Sequence, residues 1–170
     1  TGAFVDGGQY RVVARARDRA TNLQTAYSTS NFTFDTTNPT ANLANPVDGA
    51  TLPTLPTISG ADADASPGQV NFVEVGIKEN LPGSGLWWNA AAFAVAVETY
   101  VVTATTNSWA SWYYAFPGSY LNLNTYLVKA RTVDRAGNRT TVFVSSTSPN
   151  GGNSNTFTFS SPASETTVTN

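Results

Sequence analysis

A segment near the start of the chain returns much later with almost the same pattern. Residues 9–22 read QYRVVARARDRATN, and residues 125–138 read TYLVKARTVDRAGN, at a constant shift of 116 positions. A shorter match follows between residues 31–34 (NFTF) and 156–159 (TFTF). Self-similarity at a fixed spacing indicates a repeated module, and a period this long indicates whole domains. The repeat predicts three parts: residues 1–39, the C-terminal strand pair of a preceding repeat; residues 40–162, a complete β-sandwich; and residues 163–170, a tail or linker to a next repeat.

The repeated segment has the two-residue period of a half-buried antiparallel strand. In both copies, small or aromatic apolar residues alternate with mostly basic ones. We therefore predict buried side chains at Tyr10, Val12, Ala14, Tyr126, Val128 and Ala130, and mainly exposed ones at Arg11, Arg15, Lys129 and Arg131.

The strand pair of residues 1–39 has no sandwich of its own in the sequence. An isolated two-stranded hairpin is marginal in water because it cannot bury its apolar face. The equivalent positions of the second copy are filled by that copy's own strands, around residues 126–133 and 157–159. We therefore expect residues 1–39 to pack against another molecule or against an earlier part of the same polypeptide, by strand addition.

The composition excludes several classes of function. The chain has no Cys and no His, which removes disulfides, thiolate and imidazole metal ligands, the cysteine nucleophile and the histidine general base. Its net charge of -2 gives no basic surface for nucleic acid, and the longest apolar run, residues 90–97, is too short for membrane insertion. Because the chain has no Met, we expect Thr1 not to be a translation start and the chain to be a processed product or a segment.

The remaining pattern favours an all-β fold. Charged residues make up only 12% of the chain, while β-branched, hydroxyl and aromatic residues are abundant. No window shows a helical period, and seven or more short strands are separated by regular turns. We predict an Ig-like antiparallel β-sandwich with an additional N-terminal strand pair. Its core is expected to bring Trp112, Tyr114 and Phe116 beside Val73, Val75 and Ile77.

Residues 40–162 resemble the bacterial Ig-like and fibronectin-type-III-like repeats of large extracellular surface proteins. The most specific match is the strand that begins at Tyr126 and closes with the turn Asp134–Asn138, from which the first copy departs by Thr21 in place of Gly137. The resemblance implies that Tyr10 and Tyr126 form corner hydrogen bonds to the main chain. The other matching segments are residues 46–49 (PVDG), 58–60 (ISG), 73–77 (VEVGI), 86–89 (LWWN) and 109–116.

An aromatic cluster is a candidate binding or interface site. Its members are Trp87, Trp88, Trp109 and Tyr113. Adjacent strand residues face opposite sides, so we expect one of Trp87 and Trp88 to be exposed or covered by another chain. Packing in the core or between subunits is the simpler interpretation, and stacking on a glycan is the alternative.

An acidic group is a weak candidate metal site. Asp62 and Asp64 are expected to lie near Asp134 or Asn138 in such a sandwich, and carboxylate oxygens suit calcium. Plain turn residues are the simpler interpretation, and we expect no other cofactor. The glutamates have no catalytic neighbours in the sequence, so we do not expect an enzyme.

The sequence thus predicts a structural module of an extracellular fibre or cell-surface stalk. Such a module would self-associate through β-strand pairing, as a homo-polymer or as tandem repeats of itself. The alternative is an adhesion module that binds carbohydrate or a surface through its aromatic residues. Both hypotheses place the protein outside the cell or on its surface.

Overall fold

A computed structural model describes residues 2–83, 85–145 and 152–162 of the chain. These residues form thirteen strands and contain no helix. The strands are β1 (Gln9–Ala14), β2 (Ser28–Thr33), β3 (Thr40–Asn45), β4 (Ala50–Leu52), β5 (Thr57–Ala63), β6 (Val70–Lys78), β7 (Trp87–Trp88), β8 (Phe93–Val95), β9 (Val101–Val102), β10 (Ala104–Thr105), β11 (Trp112–Ala115), β12 (Thr125–Asp134) and β13 (Ser154–Phe159).

The strands form two sheets and one separate pair. The smaller sheet has the order β10-β11-β5-β3, and the larger has the order β4-β13-β12-β6-β7-β8, with β9 also pairing with β6. Strands β1 and β2 pair only with each other; we call this pair, with its flanking residues 2–35, the ribbon. The all-β sandwich is confirmed. One pair departs from the antiparallel pattern, because β4 runs parallel to β13.

The core lies between the two sheets. Val73, Val75 and Ile77 alternate along β6 and are fully buried, as the two-residue period of a strand requires. Trp112 faces them from the smaller sheet with 1% of its surface exposed. The predicted core is confirmed, with Phe116 buried and Tyr114 packed at its margin.

Close packing in the smaller sheet depends on Gly60. A Cβ atom at this position would lie 1.8 Å from the carbonyl oxygen of Asn42 and 2.5 Å from the ring of Trp112. Only glycine therefore lets β3 and the Trp112 ring approach β5 this closely.

Residues 140–145 follow β12 without forming a strand. After the isolated bridge between Val133 and Arg139, the backbone of this segment is hydrogen-bonded by the side chain of Asn153 and not by a neighbouring strand. Its Nδ2 donates to the carbonyl of Val142, and its Oδ1 accepts from the amide of Val144, each at 2.9 Å. Residues 146–151 and the predicted tail of 163–170 lie outside the described residues.

The burial predictions for the repeated strand hold in one copy only. Tyr126, Val128 and Ala130 are fully buried, as predicted. In the first copy, however, Val12 is 52% exposed, Ala14 is exposed and Tyr10 is only half-buried, so the predicted burial is wrong for this chain on its own.

The predicted exposure of the basic residues of β12 is also wrong. Lys129 bonds Glu98 at 3.0 Å, and Arg131 bonds Glu74 at 2.6 Å. The guanidinium of Arg131 also lies 3.8 Å from the centre of the Tyr100 ring. These contacts leave only 20% of the Lys129 side chain and 24% of the Arg131 side chain exposed.

Candidate functional site

The ribbon has the same strand register as β12 and β13. Tyr10 lies opposite Phe32 in the ribbon, and Tyr126 lies opposite Phe157 in the sandwich. The rest of both ladders follows the same pairing, and each antiparallel pair continues for at least three further positions. The sequence repeat is therefore also a repeat of pairing geometry.

The hydrogen bonds at the entry of each strand pair are duplicated as well. The hydroxyl of Tyr10 accepts from the amide of Val5 at 2.8 Å, and that of Tyr126 accepts from the amide of Leu121 at 2.7 Å. These are the predicted corner bonds, now confirmed in both copies.

The turn that closes the first strand is also the same in both copies. The Asp18 carboxylate accepts from the amide and side chain of Asn22, both at 2.9 Å. The Asp134 carboxylate accepts from the amide and side chain of Asn138, both at 2.8 Å. Thr21 adopts the left-handed φ of 76° that this turn requires, so the departure from glycine does not change the turn.

One aromatic residue per copy was missed in the sequence. Phe4 and Tyr120 are also separated by 116 positions. Phe4 contacts Tyr10 edge-on, with ring centres 4.6 Å apart and planes at 71°; Tyr120 contacts Tyr126 at 5.0 Å and 72°. Extending the repeat backwards, from residues 118–122 (GSYLN) to residues 2–6 (GAFVD), would have found both.

The two aromatic clusters differ in what covers them. In the sandwich, Tyr126 also contacts Phe93, and Tyr120 stacks on Phe116 with ring centres 4.5 Å apart. In the ribbon, 56% of Phe4 and 37% of Phe32 are exposed. We call the exposed side formed by Phe4, Tyr10, Val12 and Phe32 the ribbon face. It is an apolar surface of the kind that marks an interface.

A second candidate site lies where the ribbon joins the sandwich. Asp35 follows β2, Asp64 follows β5, and Asp134 ends β12. One carboxylate oxygen of each lies within 4.8 Å of one from each of the other two. Within the described part of the chain, none of the three forms an ion pair with Lys or Arg. We call this group the acidic junction.

Asp64 is the member with unmet bonding capacity. Both of its carboxylate oxygens are enclosed, and neither accepts a well-formed hydrogen bond. Burial, followed by the negative charges of Asp134 and Asp35, raises its pKa above the ordinary value. Three carboxylates that supply only oxygen ligands match the preference of calcium. The sequence prediction placed Asp64 and Asp134 here but missed Asp35.

Asp62 lies beside the acidic junction without being part of it. Its carboxylate oxygens are enclosed and have no well-formed hydrogen bond. Burial is the main cause that raises its pKa to about 6, and the charge of Asp64 adds to the effect. An ionised Asp62 therefore destabilises the folded chain at neutral pH.

The expectation that one of Trp87 and Trp88 is exposed is wrong. The two rings do face opposite sides, but both are buried, at 6% and 4% exposure. Trp88 lies in the core and donates through Nε1 to the hydroxyl of Tyr114 at 2.9 Å. The other side is covered by this same chain, because Tyr100 stacks on Trp87 and Lys129 lies above its ring.

The other two predicted aromatics do not join them in one platform. Tyr113 is 40% exposed on the outer side of the smaller sheet, opposite to Trp112. Trp109 is partly buried and lines a groove of about 510 Å³ together with Asp62, Asp64 and Arg135. The structure therefore brings Trp109 to the acidic residues and leaves Tyr113 elsewhere.

The comparisons with known proteins assign neither a family nor a function to the chain. No protein-family model matches the chain, and no curated protein matches it. A similar solved structure is CopC from Methylosinus trichosporium OB3b, with a TM-score of 0.43 and 11% sequence identity over 75% of this chain and all of that chain. In the described residues, we find no helix with the length and apolar character needed to cross a membrane.

Proposed function

We propose that the chain is a structural module of an extracellular fibre or cell-surface stalk, built from Ig-like sandwiches in a row and without catalytic chemistry. The observation that carries this proposal is the parallel pairing of β4 with β13. These strands lie near the two ends of residues 40–162, at which such a row would be pulled.

Parallel terminal strands resist tension in a particular way. A force that pulls the start of the sandwich away from its end slides β4 along β13, so all hydrogen bonds between them are loaded together. Two of these bonds join the Gly49 amide to the Thr156 carbonyl and the Ser160 amide to the Leu52 carbonyl, at 2.8 and 2.9 Å. The Asp48 carboxylate reinforces the pair, because it accepts from the amide of Thr156 at 2.7 Å.

The connection between ribbon and sandwich is also held by specific contacts. Pro39 is fully buried, and its carbonyl accepts from the hydroxyl of Thr140 at 2.9 Å. The hydroxyl of Thr132 donates to the carbonyl of Thr40 at 3.3 Å. Such contacts limit bending at the joint, which favours a stalk over a flexible chain.

Calcium at the acidic junction would strengthen the same joint. Asp35 is the last residue of the ribbon, whereas Asp64 and Asp134 belong to the sandwich, so a cation bound by all three would tie the two parts together. Extracellular calcium modules bind with dissociation constants of about 10⁻⁴–10⁻³ M. A site with a dissociation constant in this range would bind calcium outside the cell, which agrees with the proposed location.

Single-molecule force spectroscopy tests the structural function. The chain has no Cys, so two introduced cysteines give unique attachment points. Handles attached at Thr36→Cys and Ser161→Cys apply a force that slides β4 along β13. Handles attached at Thr36→Cys and Ala91→Cys do not pull on β13 directly. The proposal expects a clearly higher unfolding force for the first pair. Equal forces would show that the parallel pair bears no load.

The groove beside Trp109 supports a second candidate, a carbohydrate-binding adhesion module. The ring of Trp109, with Arg135 beside it, offers both stacking and hydrogen bonding to a sugar. Titration with polysaccharides should then quench tryptophan fluorescence, and Trp109→Ala should abolish the response. Tyr113→Ala is the matched control, because Tyr113 lies away from the groove. An unchanged response in Trp109→Ala would exclude this function.

A further inference from the structure

We propose that the ribbon face is the inner face of a second sandwich, and that it is covered by a sandwich body of the same kind as residues 37–118, continuous with the ribbon at Gly2. This inference rests on the proposed structural function and names the partner of the module. The second copy shows what covers an equivalent face: Trp88, Phe93 and Phe116 of the body pack against Tyr120 and Tyr126, directly or through one another.

The local structure of the ribbon is already that of a covered strand pair. Phe4 lies 5.6 Å from Phe32 with the planes at 82°, and Tyr120 lies 5.4 Å from Phe157 with the planes at 89°. Edge-to-face packing is one of the favoured arrangements of aromatic pairs, and the ribbon adopts it without a cover.

Gly2 supplies an independent indication. Its equivalent, Gly118, lies against the body, where a Cβ atom would come within 2.7 Å of the Phe116 ring and 2.8 Å of the Trp88 ring. At Gly2 a Cβ atom would meet nothing within 4 Å. A body that carries equivalent aromatic rings explains why both positions hold glycine.

A second copy of this chain does not provide the missing body. Its own β12 and β13 already pair with β6 and β4, and Tyr126, Val128 and Phe157 are buried there. A ribbon from another molecule would have to displace these strands. The body that fits the ribbon must therefore lack its own last two strands. A body whose chain continues directly into the ribbon meets this condition, because the ribbon supplies those two strands.

A chimera tests the inference. Residues 37–117 are joined directly to Gly2, in place of Thr1, so that Pro117 precedes Gly2 in the chimera as it precedes Gly118 in the second copy. We expect two cooperative unfolding units in the chimera and one in the parent chain. An added body that stays unfolded while the parent sandwich unfolds normally would overturn the inference.

A matched pair of substitutions identifies the face. Val12 and Val13 are both 52% exposed, but Val12 corresponds to buried Val128 and Val13 to outward-facing Lys129. In the chimera, Val12→Lys should abolish the additional unfolding unit, and Val13→Lys should preserve it, because it restores the residue that the second copy holds beside Glu98; in the parent, neither should change the sandwich. Equal effects of the two in the chimera would contradict the inference.

Sedimentation of the parent chain tests the other occupant. A dimer that dissociates on Val12→Lys but persists on Val13→Lys would assign the ribbon face to a second copy and overturn the inference. The force measurement on residues 36–161 does not involve the ribbon, so a failed chimera leaves the structural function standing.

Discussion

Replacing Asp62 by Asn should stabilise the protein at neutral pH. The carboxylate is enclosed and lacks a well-formed hydrogen bond, and burial raises its pKa from 3.8 to about 6. Asn has nearly the same shape but no charge, so the substitution removes the cost of burying an ionised group. In an unscreened site, a pKa raised this far corresponds to about 3 kcal/mol. Because the side chain is only partly shielded from solvent, we expect a gain of about 1–2 kcal/mol.

The direction of the pKa shift determines the pH range over which Asp62 lowers the stability of the folded chain. The folded chain holds the Asp62 proton more tightly than the unfolded chain does, so Asp62 lowers the free energy of unfolding progressively as pH rises from about 4 to about 6. Below that window both states are protonated and the wild type and Asp62→Asn should be equally stable. Above it the difference should be constant.

Urea denaturation at several pH values, in the presence of a chelator, measures this difference. Asp48→Asn is the control, since the Asp48 carboxylate accepts from Thr156 and its replacement should instead lower stability at pH 7. A difference between wild type and Asp62→Asn that does not change between pH 4 and pH 7 would refute the reasoning.

Three further predictions concern the cover of the ribbon face, the core and the acidic junction. Val128→Ala should lower the free energy of unfolding by about 2 kcal/mol, while Val12→Ala, at the exposed equivalent position, should change it by less than about 0.5 kcal/mol; urea denaturation compares them, and equal losses would contradict the difference in cover. Trp112→Ala should cost about 3–5 kcal/mol, and an unchanged melting temperature would place the ring outside the core. Calcium at about 100 times its dissociation constant should stabilise the wild type by about 2.7 kcal/mol, seen as a higher melting temperature, and Asp64→Asn should abolish the response; a variant that still responds would exclude the junction.

The sequence predicted the features that depend on local pattern. The alternation in β6 and β12 is set by the two-residue period of a strand, so the core positions were found from it. The pairing of β4 with β13 was not, because Ala50–Leu52 is too short to show a period and its partner lies at the far end of the chain. The burial of Trp87 was missed for a similar reason: its cover, Tyr100, comes from a loop whose position the sequence does not indicate.

The candidate sites also contain some residues that the sequence predicted and some that it missed. Asp64 and Asp134 were recognised as candidate ligands, whereas Asp35 was assigned only to the boundary between the copies. Its approach to the other two follows from the route of the connecting segment, which is held by a hydrogen bond from Asn138 to the carbonyl of Asp35. The ribbon face was predicted as apolar, but its resemblance to a covered face required the ring geometry of Phe4.

Amide hydrogen exchange in the parent chain tests most directly whether the ribbon is a strand pair without its cover. The amide of Phe34 donates to the carbonyl of Gly8, and the amide of Phe159 donates to the carbonyl of Asn124, both at 2.9 Å. The two bonds are equivalent, but only the second belongs to a packed sandwich. We expect the Phe34 amide to exchange at least about 100-fold faster than the Phe159 amide. Equal, slow exchange at the two positions would show that the ribbon is stable without a partner body, which would contradict the account.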